Sequence, residues 1–153
     1  MKTINSILVP IDGSKHAERA LLKAKELADC LGSKIILLNI VNMFGAESYT
    51  VFRSHDIASI LNIPELIKKA DIKSVELLEH SKQLLGALNV ETVSVHDPAG
   101  KPAEVIVHFA KEHDVDLIVM GSNGVGSLSD RLYIGSVTMK VLHTTEKPVL
   151  VIQ

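Results

Sequence analysis

The chain predicts an α/β fold: a doubly wound, five-stranded parallel sheet in strand order 3-2-1-4-5 with helices on both faces. Three observations carry this expectation. The runs ILVPI (7–11) and KIILLNIV (34–41) are continuous, β-rich and apolar, as in strands covered on both sides. The segment between them repeats its apolar residues at helical spacing. Strand-like and helix-like segments then alternate to a fifth run, PVLVI (148–152), which is the pattern of βαβ units. Right-handed crossovers, with the winding direction reversed after the third strand, make the first and fourth strands neighbours.

The elements follow in order. After the first strand Ser14 can cap a helix whose apolar positions are Ala17, Ala20, Leu21, Ala24, Leu27, Ala28 and Leu31, and Gly32 stands at its end. Cys30, alone in the sequence, reads as a small buried hydrophobe of this helix, and it can form no internal disulfide. A second long helix begins near Asn62-Ile63-Pro64, with Pro64 in its first turn. It runs through Leu66, Ile67, Ala70, Val75, Leu78, Leu84 and Leu85 toward Gly86. VETVSV (90–95), a Pro98-Gly100-Pro102 turn, a helix over 103–113, VDLIVM (115–120) and a last helix opened by Ser136 complete the chain before the fifth strand.

Composition narrows the function. The 153 residues, 46% hydrophobic and 22% charged, suffice for one core and suggest a single domain, 1–153. A formal charge of -2 gives no basic excess for a polyanion, so nucleic-acid binding is not expected. The start, MKTINSILVPIDGSK, has neither a signal-peptide core nor a membrane span, which points to a cytoplasmic protein with no membrane role.

Open parallel sheets bind ligands beyond the carboxyl ends of their strands, where the winding reverses. Here those ends are Pro10-Ile11-Asp12 and Met120-Gly121. The stretch VMGSNGVGSLSDRLYIGSVT (119–138) begins at the second of them. Gly121 lets backbone come close, and Gly124 and Gly126 permit positive φ, so that successive amides can point inward as a nest. Ser136 starts a helix whose positive dipole end suits phosphate. Asp12 can accept from a ribose hydroxyl or an adenine amino group. Together these features suggest a nucleotide. Each residue also has a plainer use: Gly121 and Gly124 as a strand-to-helix turn, Ser136 as an N-cap, and Asp12 as a cap of the first helix.

These residues resemble the universal stress protein family over nearly the whole chain. The markers are ILVPIDGS, LLNIV, DLIVMGSNG, GSVTMKVL and KPVLVI. The resemblance implies the adenine nucleotide alpha hydrolase-like arrangement of this fold. Members that bind ATP carry G-2x-G-9x-G-[ST] after the fourth strand. By that likeness Gly121, Gly124, Gly135 and Ser136 contact phosphate or ribose. Asp12 and the backbone of Val41 hold adenine, while Pro10, Met120 and Val137 line the pocket. One departure stands out: VGSLSDRLYI places ten residues between Gly124 and Gly135 where the family pattern has nine. If the excess bulges outward at 127–130, both ends of the phosphate cradle keep their places.

The seven histidines show no H-x-x-x-H or H-x-H spacing, so no protein-built metal site is expected. His96-Asp97, at the end of the third strand, reads as a solvated turn at a sheet edge, remote from the crevice. The loop holds no Lys of the G-x-x-x-x-G-K-[ST] kind, so Mg²⁺ or Mn²⁺ bridging the phosphates is expected, with Arg131 or Lys140 as possible helpers. No in-line nucleophile set, G-x-S-x-G elbow or Cys/His signature is present, which favours a nucleotide-dependent regulator over an enzyme; at most, bound ATP is hydrolysed slowly. A nucleotide-free interaction protein is the alternative, since the apolar edge strand 147–153 suits an isologous homodimer, which the resemblance also implies. The long connection 42–59 carries Phe44, Tyr49 and Phe52 and reads either as a cover for the adenine or as a linker. A further protein partner has no readable motif.

Overall fold

The computed structural model describes residues 3–42, 63–125 and 133–153. The expected cover over 42–59 and the added residue of the glycine loop lie almost wholly outside these, at 43–62 and 126–132.

The strands are β1 (Ser6–Ile11), β2 (Lys34–Val41), β3 (Val90–His96), β4 (Leu117–Gly121) and β5 (Val149–Ile152), alternating with α1 (Lys15–Leu31), α2 (Ile63–Leu85), α3 (Pro102–Glu112) and α4 (Ser136–Thr144). All pairings are parallel, and the sheet order is β3-β2-β1-β4-β5, as the sequence predicts.

Alternation along the strands divides the core in two. Ile7, Val9 and Ile11 pack with Ala20, Leu21 and Ala24 of α1 and with Leu78 and Leu85 of α2. Leu8, Leu38, Ile118 and Met120 pack with Ala103, Ile106 and Phe109 of α3 and with Val141 of α4. The central strands β1 and β4 are therefore buried on both faces, which is why they read as unbroken apolar runs.

α1 starts as expected. Ser14, in extended conformation, accepts the Ala17 amide at 3.1 Å, and Gly32 (φ 67°) ends the helix by returning its N–H to the Ala28 carbonyl. Cys30 is exposed, not buried. The inward stripe is His16, Ala17, Ala20, Leu21, Ala24 and Ala28, and position 30 falls two residues beyond Ala28, well around the helix from that stripe. Leu31, the last residue of the helix, is also exposed, although it falls on the side of the stripe.

α2 also departs from its apolar pattern. Leu66 and Val75 face outward, whereas Ser74, Leu78, Ser81 and Leu85 face inward. The two serines are small, and Ser74 Oγ meets Ser94 Oγ of β3 at 2.9 Å. Close approach of helix to strand decides this face, and hydropathy alone misses it.

β4 begins two residues later than its apolar run. Asp116 Oδ2 accepts the amides of Asn5 and Ser6 at 2.9 and 3.1 Å, so the carboxylate ties the start of β4 to that of β1. No helix among the described residues is long and apolar enough to cross a membrane.

Candidate functional site

The β1–α1 turn is short and tightly held. Gly13 adopts φ +82°, which an L side chain rarely tolerates. Asp12 Oδ1 accepts the Ser14 amide at 2.9 Å, and its Oδ2 accepts the Val125 amide at 3.0 Å. Asp12 is therefore both a turn former and a clasp on the loop that follows β4. Each oxygen keeps a further lone pair for a ligand donor.

Close approach explains the glycines of that loop. A Cβ on Gly121 would lie 2.6 Å from the His16 carbonyl carbon and 2.7 Å from His16 Cβ, so glycine lets β4 end directly beneath the first turn of α1. A Cβ on Gly124 would lie 2.7 Å from Asp12 Oδ2. The positive-φ glycines among the described residues are Gly13, Gly32, Gly86 and Gly100, so Gly124 does not use the left-handed freedom expected of it. Its missing side chain makes room for the Asp12 carboxylate instead. Gly126 lies outside the described residues.

The return of the loop is pinned by backbone and by one hydroxyl. Ser122 donates its N–H to Ile152 O at 2.7 Å and accepts from the Gly135 N–H at 2.7 Å. Thr138 Oγ1, buried at the base of α4, donates to Gly121 O at 2.9 Å. Gly135 is the N-cap of α4 and provides no side-chain cap, so Ser136 is the first helical residue and not the N-cap that the sequence also allowed. The amides of Ser136, Val137 and Thr138 are then first-turn donors to which Gly135 brings no side-chain acceptor.

These elements bound a cavity of about 340 Å³ on the α3/α4 face, at the carboxyl ends of β1 and β4, within the usual size of a small-molecule site. Pro10, Asp12, Met120, Gly121, Gly124 and Val137 line it. Gly135 and Ser136 stand just before Val137 at the start of α4, Ser136 exposed and Gly135 half-buried. Val41 is buried, and alternation along β2 turns its side chain to the opposite face from Leu38, Ile40 and Asn42, which do line the cavity. Its carbonyl accepts the Asp97 amide at 3.0 Å, so Val41 can serve a ligand there only through its backbone.

Sequence reasoning passed over Asn42, Pro102, Ile106, Asn123 and Thr138, all of which line the cavity. The signal for Pro102 and Ile106 lay in Asp97. Asp97 is buried, with only 4% of its surface exposed, where a solvated turn was expected. Its carboxylate accepts the amides of Ala99 (3.1 Å) and Lys101, folding the β3–α3 connection so that Pro102 reaches the cavity although β3 is an edge strand. His96 pairs with Asp71 of α2 at 2.7 Å, away from the cavity.

Besides Asp12 in the lining, a charged cluster stands where α3 begins and on α4. Glu104 is contacted by Lys140 at 2.9 Å and by Lys101 at 3.5 Å. The hydrogen bond from Lys140 holds the Glu104 carboxyl below the usual glutamate range, against the opposing effect of desolvation. Among the described residues no group of three or more His, Cys, Asp or Glu side chains is placed to hold a metal ion. A smaller hollow of about 170 Å³ lies on the opposite face between α1 and α2, lined by Ser14, Glu18, His80 and Ser81 above Leu21 and Leu77, and it shares Ile11 and Ala17 with the larger cavity.

Comparison with known proteins agrees with this architecture. The sequence is 30% identical to the universal stress protein YxiE of Bacillus subtilis over 97% of this chain and 99% of that one. The structure of MJ0577, a universal stress protein of Methanocaldococcus jannaschii, superposes with a TM-score of 0.78 at 31% identity, covering 99% of this chain and 96% of that one. A universal stress protein of Archaeoglobus fulgidus solved in complex with dAMP shares the fold, with a TM-score of 0.67 at 24% identity over 99% of this chain and 100% of that one. The sequence model described as the Universal stress protein family matches residues 3–153. The chain belongs to the universal stress protein family.

Proposed function

We propose that the protein is an adenine-nucleotide-binding regulator that takes ATP in the 340 Å³ cavity and signals occupancy through the loop after β4. The observation that carries this reading is the meeting, at one crevice, of Asp12, the close-approach glycines 121 and 124, and an α4 start without a side-chain cap. Adenine and ribose would lie against Pro10, Asp12, Met120 and the backbone of Val41, and the phosphates would reach Gly121, Gly124, Gly135, Ser136 and the amide end of α4. The Archaeoglobus fulgidus protein crystallised with dAMP is a case of this fold holding an adenine nucleotide.

Mg²⁺ or Mn²⁺ fits as a partner of the phosphates rather than of a protein cage, since the described residues contain no ligand cluster and such ions are commonly held by substrate phosphates. Among the described residues the site holds no nucleophile–base set for phosphoryl transfer, and binding rather than turnover is the use proposed for it. β5 is an edge strand, and residues 147–153 would pair with a second copy in a homodimer.

Titration calorimetry with Mg²⁺·ATP tests the reading directly. Binding is expected in the wild type and weakened in Gly124→Val and Ser136→Ala, while the absence of heat in the folded wild type overturns it. The chain has no Trp and only two Tyr, so co-purified adenine nucleotide would dominate its ultraviolet spectrum. Sedimentation at low micromolar concentration checks the dimer, and monomer alone counts against it.

A further inference from the structure

We propose that Lys101 and Lys140, bridged by Glu104, are the cationic clamp of the cavity and make it select polyphosphorylated nucleotides over monophosphates; this rests on the adenine-nucleotide reading above. The described part of the glycine loop, 121–125 and 133–138, contains neither Lys nor Arg, so its amides contribute dipoles but no full charge to a phosphate tail. Among the described residues, Lys101, Glu104 and Lys140 form a cluster of net positive charge next in sequence to lining residues of the cavity. Lys140 Nζ meets Glu104 Oε1 at 2.9 Å and Lys101 Nζ meets Glu104 Oε2 at 3.5 Å. Two cations thus share one carboxylate, and the group carries net positive charge.

Its position suits a phosphate tail. Lys101 immediately precedes Pro102, which lines the cavity, while Glu104, two residues from both Pro102 and Ile106, faces away from the lining side of α3 and meets Lys140 across the α3–α4 seam. Lys140 is one turn beyond Ser136 and three residues beyond Val137, which also lines it. Long helical side chains lean toward the helix amino end, so the Lys140 stem runs toward the turn where the phosphates would sit. The three side chains are about half exposed, between 50% and 56%. Ion pairs this exposed are worth little, so a phosphate oxygen can replace the Glu104 carboxylate at low cost. Lysine suits such an exchange, being a flexible point charge rather than a fixed fork. A monophosphate offers less charge for the clamp, whereas β- and γ-phosphates supply it. Glu104 then sets the threshold by competing for the same two ammonium groups.

The test is titration of ATP, ADP and AMP against wild type, Lys101→Gln, Lys140→Gln, the double Lys variant and Glu104→Gln, at low and high salt. Each single Lys variant should weaken ATP about three- to fivefold, the range of an exposed pair. The double variant should also lose part of the salt dependence, and AMP should shift by less than about twofold. Glu104→Gln should tighten ATP relative to AMP. A folded double variant that keeps the wild-type ratio of ATP to AMP affinity overturns the proposal, as does a Glu104→Gln protein with weaker ATP binding. A wild type that binds AMP as tightly as ATP removes the clamp but leaves the nucleotide reading standing, whereas a wild type that binds none of the three removes both.

Discussion

α1 and α4 begin on either side of the same crevice and are finished in opposite ways. At α1, Ser14 caps the Ala17 amide and Asp12 takes the Ser14 amide, so side chains of the protein's own turn answer donors there. At α4, Gly135 brings no side chain to the cap, and Val137 and Thr138 face the cavity. A helix start closed by its own sequence serves the fold, while one left without a cap has donors for something that arrives later. The serine that looks like a cap, Ser136, stands one position too late to be one.

Four substitutions would break or sharpen this contrast. The largest effect is expected from Gly121→Ala, because the new Cβ meets the His16 backbone at 2.6 Å and backbone of a packed helix cannot rotate away. Urea unfolding should show a loss of about 2–3 kcal/mol, typical of an overpacked core. Next is Ser136→Asp, which sets a carboxylate at the amide end of α4. It should raise stability by about 0.3–0.5 kcal/mol through the helix dipole. It should also weaken ATP by at least about tenfold, or ~1.4 kcal/mol, through repulsion. Thermal melting and calorimetry on the same sample separate the two, and unchanged ATP affinity would show that phosphates do not approach α4.

Ser14→Ala should cost about 1 kcal/mol of stability, as loss of an N-cap does, with ATP affinity changing much less than in Ser136→Asp. Equal losses of affinity in the two would erase the distinction between the closed and the open start. The smallest effect is that of pH on the Lys101–Glu104–Lys140 bridge. Glu104 titrates below its usual value of 4.5 in the folded chain, so its folded pKa is the lower one. Its contribution is present in full above the unfolded value and is lost as pH falls through the lowered folded value. Wild type and Glu104→Gln should therefore differ slightly in melting temperature near neutral pH, and the difference should shrink on acidification below about pH 4.

The sheet was legible because its causes are local. β-rich runs, a serine before one helix and a glycine after it mark β1, α1 and β2 without reference to the rest of the chain, and alternation of elements with right-handed crossovers and one reversal of winding yields the strand order. The crevice followed from that order, which is why Pro10, Asp12, Met120 and Gly121 were readable as neighbours. What escaped were choices made by contacts distant in sequence. Ser74 faces inward because Ser94 meets it, Gly124 is glycine because Asp12 needs the space, and Thr138 is buried because Gly121 O requires a donor. Asp97 looked solvated because its partners, the amides of Ala99 and Lys101, leave no trace in side-chain pattern. Hydropathy records whether a residue avoids water, and none of these four is placed by that preference.

Ile11 and Ala17 border the large cavity on one face and the small hollow on the other. The β1–α1 corner is therefore a party wall, thin enough for one residue to face two rooms. A bulkier side chain grafted at Ala17 must intrude on one chamber or the other, and a shift of the wall that widens one narrows its neighbour.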